Sequence, residues 1–236
     1  HTGHPQPAAP PGTRRLRVAY CPGSLRAALT ADVIRRAAER HHLVVQVTRH
    51  DCTAAGLAAP SKATWHTDPM RFNIHPAQGT SGPDDPSPDI HVTPAPDHIA
   101  PPPRVLLVVP ADPGPQTPEA AAWQAADPLA LRLALLARES PDSMPLSEDD
   151  LARTTDHLGE LRTDVAHFAE SPSAAPPAGR IAEVHAAVDD NLGTLRALNL
   201  TDALRTDPGI PPGARFEALI HLDRTFGLDL ARDIGR

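Results

Sequence analysis

Aromatic side chains are nearly missing from this chain: Phe, Trp and Tyr together make up 3% of it. Any core must therefore be built from Ala, Leu, Val and Ile. Lysine is rarer still, since Lys62 is the only one and arginine supplies nearly all the positive charge. The two cysteines, Cys21 and Cys52, are too few for a disulfide scaffold. No apolar run reaches the length of a membrane span, and no signal-peptide core is present. A cytoplasmic location without membrane contact is the expectation. The net charge of −7 argues against a free-standing nucleic-acid binder, which needs a basic face to displace counterions.

Proline is abundant, with 29 residues gathered mainly in 5–11, 76–118 and 172–177. Because proline lacks an amide donor and clashes with the preceding helical turn, these stretches are expected to be loops or linker. One of them, PDIHVTPAPDHIAPPPR (88–104), holds two histidines and two aspartates among prolines. It reads as too rigid for a helix and too broken for a strand, and poses the question of a metal site.

Between the proline clusters the pattern is regular. LRVAY (16–20) reads as a strand and AALTADVIRRAAER (27–40) as an amphipathic helix. HLVVQVT (42–48) reads as a second strand and RVLLVVP (104–110) as another. Strand, helix, strand with short connections favours a parallel sheet. After Pro118 the chain turns helical. Segments PEAAAWQAA, 127–140, the stretch following Ser147, 180–205 and 212–228 suggest a bundle.

The order of these pieces resembles cysteinyl-tRNA synthetases and the related ATP-dependent cysteine ligase of mycothiol synthesis. LRVAYC resembles the opening strand of that family, ending in Cys21. WHTDPM (65–70) resembles its Trp-His-Ile-Glu-Cys-Ser motif, and DIH with DHIAPPP (89–103) resembles Asp-Ile-His followed by Asp-Leu-Ile-Phe-Pro-His-His. DPLALRLALLARES, VDDNLGTLRAL and LDRTFGLDL resemble the helices that follow in order.

The resemblance implies a reduced class I Rossmann-like α/β fold followed by an α-helical bundle. The expected division is a disordered segment 1–15, a Rossmann-like domain 16–118 with a proline-rich insert, and a helical domain 119–236. It also implies a pocket for cysteine, of which Cys21, Trp65, His66 and Asp97 would be the remnant. In the family a zinc ion holds the substrate thiolate through four ligands, a role that suits a borderline-soft, redox-inert ion. Here Pro69 stands where a second cysteine belongs, and Pro102, Pro103 and Arg104 where histidines and an acid belong.

The nucleotide motifs are replaced too. SLRAALTA (24–31) stands in place of His-Ile-Gly-His, and VPADPGPQTPEAA (109–121) in place of the lysine-rich loop that faces the phosphates. HTGH (1–4) matches the former by letter but precedes the first strand, where it lacks the strand end and helix start that such chemistry needs.

The expected function is therefore a non-catalytic binding or regulatory module with no catalytic residue, metal or cofactor, acting on an unidentified protein partner. The alternative is an ATP-dependent cysteine-activating ligase with a rebuilt site using ATP and zinc, in which Arg26, Arg35 and Arg104 bind phosphates. A tRNA accessory role is disfavoured by the charge. A new site from His66, His75, His91 and His98 matches no standard ligand spacing. Asp89 is expected to cap local amides, and Asp189 and Asp190 to serve helix packing.

Overall fold

The computed structural model describes residues 14–50, 68–82, 85–94, 103–114, 116–138 and 145–236. Strand β1 (Arg15–Tyr20) leads through helix α1 (Leu25–Arg40) to β2 (Val44–His50). A 3-10 turn (Pro69–Phe72) precedes β3 (Gly79–Ser81), β4 (Ile90–Thr93) and β5 (Val105–Val108). The five strands pair in parallel, in the order β3-β2-β1-β4-β5. The chain is thus an α/β protein in its first half.

Within 76–118, expected as loop apart from the strand RVLLVVP (104–110), that run carries β5, and β3 and β4 are additional strands. The described prolines of this stretch lie outside the strands, where no ladder donor is needed. β4 is IHVT from the stretch that looked too broken for a strand, and it sits inside the sheet against β1 and β5. Four residues suffice because the neighbours on both sides pair with every one of them or their flanks. Of the expected N-terminal segment 1–15, residues 1–13 lie outside the described residues, whereas Arg15 already pairs with Val44 in β1.

Side chains alternate across the sheet. Val18, Val47, Ile90, Val92 and Leu107 share the face toward α1, while Thr48, His50, His91, Thr93 and Ser81 share the opposite face. The helical half comprises α2 (Pro118–Ala125), α3 (Pro128–Leu136), α4 (Glu148–Ala169), α5 (Ala178–Asp189), α6 (Thr194–Thr206) and α7 (Pro212–Phe226), then a 3-10 turn Leu230–Asp233. Helix α4 opens on a capping box: Ser147 Oγ accepts from Asp150 N–H, and the Asp150 carboxylate accepts from Ser147 N–H. Its buried face is Leu151, Leu158, Leu161, Val165 and Phe168.

The segment 180–205, which reads as one helix, is two. The break falls at Asn191 and Leu192, both left-handed with φ of 53° and 56°. Gly193 follows, and a Cβ there would lie 2.7 Å from the Ala187 carbonyl oxygen. The turn redirects α6 so that Thr194 Oγ1 donates to the Leu136 carbonyl at 2.7 Å.

One continuous apolar core joins the strands and α1 to the helices. A buried ion network fastens the two. Asp32 on α1, 1% exposed at its side chain, meets Arg35 at 2.8 Å, Arg36 at 2.7 Å and the fully buried Arg132 of α3 at 2.8 Å. Arg132 also donates to the Phe226 and Phe72 carbonyls. Burial pushes the Asp32 carboxyl up, but the Arg132 and Arg36 charges and hydrogen bonds from Arg35 and Arg132 outweigh it and hold it down to about 2.

Candidate functional site

Open parallel sheets bind ligands outside the carboxyl ends of their strands, at the point where the connections part to either side. Here that point lies between β1 and β4, above Cys21, Pro22, Gly23 and the start of α1. A helix beginning there offers exposed N–H groups and a partial positive charge, which is what a phosphate needs.

At this helix each of those N–H groups already has a partner. Ser24 N–H donates to the Cys21 carbonyl at 3.2 Å. Ala27 N–H donates to Ser24 Oγ at 3.1 Å, the N-cap bond. The two between them, Leu25 and Arg26, both donate to the carboxylate of Asp112, Arg26 at 3.3 Å. Ser24 Oγ reaches the same carboxylate at 3.4 Å. The Arg26 guanidinium stands 3.9 Å away as its counter-charge, and over the Trp123 ring at 5.3 Å.

Asp112 lies in VPADPGPQTPEAA (109–121), the stretch expected from the sequence to stand in place of a lysine-rich loop. That segment brings a carboxylate to the helix where positive charge for a phosphate is expected. Burial pushes the Asp112 carboxyl up to about 6, against hydrogen bonds from Leu25 and Arg26, the Arg26 charge and the Ser24 hydroxyl. At neutral pH it is therefore an anion seated on the helix N-terminus.

The arginines named as phosphate binders in the ligase alternative are likewise turned toward acids. Arg35 faces Asp32 and Glu39, and Arg104 lies 3.7 Å from Asp89. Asp89 accepts from Arg17 N–H at 2.9 Å, as expected of a carboxylate that caps local backbone. Asp189 receives Arg40 and His41 from α1 and so ties α5 to α1; it is a packing acid.

Of the four residues expected to form a remnant cysteine pocket, Trp65, His66 and Asp97 lie outside the described residues. Cys21 closes β1, is 2% exposed and is disulfide-bonded. A disulfide sulfur is not the thiolate that zinc requires, so Cys21 in this state does not fit the first ligand position. Among the described residues, no group of three or more His, Cys, Asp or Glu side chains has the arrangement to hold a metal ion. Of the four histidines considered together, His66 and His98 fall outside the described residues, as does HTGH at 1–4.

His91 had no role in the sequence reading beyond that quartet. It is fully buried in β4, neither ring nitrogen has a hydrogen-bond partner, and its ring meets that of His50 edge-on at 4.9 Å. Burial, then the neighbouring His50, lowers its pKa to about 4, so the ring is neutral at physiological pH. No sequence signal pointed to Asp112, since an acid between two prolines in a loop shows nothing of where the loop returns.

No protein-family model matches the chain, and no curated protein sequence matches it. No described helix is long and apolar enough to cross a membrane.

Proposed function

We propose that the chain is a non-catalytic binding or regulatory module on a cysteinyl-tRNA-synthetase-like frame, with its nucleotide position closed from within. The observation that carries this reading is the Asp112 carboxylate on α1. A triphosphate would have to displace a buried anion and then face it, and like charges at that range repel. The strand order suits a class I frame, and the replaced motifs agree with the lost phosphate site. A transition state gains most from preorganised donors aimed at developing charge, roughly 3–4 kcal/mol for one donor; here the two helix donors are spent on Asp112.

The test is ATP–pyrophosphate exchange with cysteine, run on purified chain with and without added zinc. The expected result is no exchange above background. Cysteine-dependent exchange that survives repurification and is lost in a Thr30→Trp or Ser24→Trp variant would overturn the reading in favour of a rebuilt ligase.

A further inference from the structure

Among the described residues β5 is an edge of the sheet, and it carries none of the usual protections. Exposed edges are normally blunted by lysine, proline, an inward charge or a bulge, because their free backbone groups recruit another strand. Residues 105–109 read VLLVV, without a charge or a proline, and their pairing with β4 runs unbroken. Val105, Leu106 and Val108 are 47%, 38% and 46% exposed. The other large apolar side chains exposed among the described residues, Val44, Met70 and Ile234, lie apart in the sequence. Exposed apolar surface is thus concentrated on this one strand.

The free backbone groups can be named. Val105 N–H donates to the Asp89 carbonyl at 2.9 Å and Val109 N–H to the Thr93 carbonyl at 3.0 Å. Alternate residues of a strand direct their backbone groups to opposite sides, so Val105, Leu107 and Val109 serve β4. Leu106 and Val108 direct their N–H and C=O groups away from β4, and no described residue pairs with them. The opposite edge differs. β3 is the short segment Gly79–Ser81, with no large apolar side chain. A sheet with one such edge, pairing with its own kind, closes a two-fold dimer and does not grow into an open filament.

Self-pairing also meets no charge conflict. In an antiparallel pair centred on Leu107, Leu106 lies across from the partner's Val108, and Val108 across from the partner's Leu106. Each of these pairs exchanges both of its N–H···O bonds. Arg104 then lies across from the partner's Pro110. Its own copy is about 20 Å away along the strands, beyond the screening length at physiological salt, and Asp89 stands 3.7 Å from it as a counter-charge. Two paired strands bury less than a standard interface, so the association is reversible.

We propose that the chain forms a two-fold dimer by antiparallel pairing of β5 with β5 of a second copy, giving one sheet continuous across both. The contact is on the sheet edge, not at the N-terminus of α1, so it stands or falls separately from the closed nucleotide position.

Sedimentation equilibrium over micromolar to millimolar loading reads the association. A monomer–dimer equilibrium without larger species is expected. Leu106→Lys, which places a charge in the paired segment, should weaken association roughly ten-fold or more while circular dichroism stays native; Thr80→Lys on the other edge should leave it unchanged. Register is read by oxidative cross-linking. Leu107→Cys sets two thiols directly across from each other at a non-hydrogen-bonded pair, within disulfide reach, and should give a covalent dimer. Val105→Cys sets them about 13 Å apart and should not. A monomer at every concentration would overturn the proposal, as would growth into larger species. So would unchanged association in folded Leu106→Lys, or cross-linking from Val105→Cys as complete as from Leu107→Cys.

Discussion

Replacing Asp112 by asparagine should change stability in a way that depends on pH, and the sign is informative. The carboxyl is raised from an ordinary 3.8 to about 6 in the folded chain. The folded state therefore holds this proton more tightly than the unfolded state. That contribution to stability is fully present below pH 3.8 and is lost as pH rises to about 6. The difference corresponds to about 3 kcal/mol. Asparagine keeps one accepting oxygen, as the protonated acid does, for either the Leu25 N–H, which meets Oδ2, or the Arg26 N–H, which meets Oδ1, and it never ionises. It gives up a favourable charge at the helix N-terminus, worth about 1 kcal/mol at most exposed sites. The variant should thus match wild type within about 1 kcal/mol at pH 4 and exceed it by about 2 kcal/mol at pH 7. For a chain of this size that is a rise in Tm of about 4–8 °C. Urea unfolding followed by circular dichroism between pH 4 and 7.5 measures the gap, and the titration of His91 drops out because both chains share it. A variant less stable than wild type at pH 7, by an amount that does not change with pH, would refute the reasoning. It would mean that the anion on α1 is stabilised there and that burial does not dominate.

Asp32→Asn should cost about 3–5 kcal/mol in chemical denaturation, because it leaves Arg132 charged in a fully buried position. His91→Leu should be neutral or stabilising by about 1 kcal/mol at pH 7, since it removes a buried imidazole without partners. Its folded pKa of about 4 against an ordinary 6.5 also means that wild type loses stability as pH falls from 6.5 to 4, and the leucine variant should lack that loss in melts across this range. Gly213→Ala should destabilise by about 3 kcal/mol or more in thermal melts, because a Cβ there would lie 1.9 Å from the Pro172 carbonyl oxygen and backbone cannot yield cheaply.

Local signals in the sequence were reliable where the structure is local. The spacing in 27–40 and after Ser147 corresponds to α1 and α4, and LRVAY and HLVVQVT correspond to β1 and β2 within a few residues. β4 was hidden because four residues between prolines look like loop until β1 and β5 are known to flank them. The break at Asn191 and Leu192 was hidden because apolar residues continue on both sides of it, although Asn191 followed by Gly193 is a recognised helix-stop signal. The closure of α1 by Asp112 spans 87 residues to Leu25, and no local pattern encodes a contact of that separation. Cys21 was read as part of a remnant cysteine pocket; it is buried at the end of β1.

The most direct measurement is isothermal titration of the wild-type chain with a non-hydrolysable cysteinyl-adenylate analogue and, separately, with magnesium-ATP, with zinc content determined on the same sample. The account predicts no saturable heat for either ligand at millimolar concentration. Saturable binding at one site per chain, weakened by a bulky substitution at Ser24, would show that Asp112 does not close the position and would contradict the account.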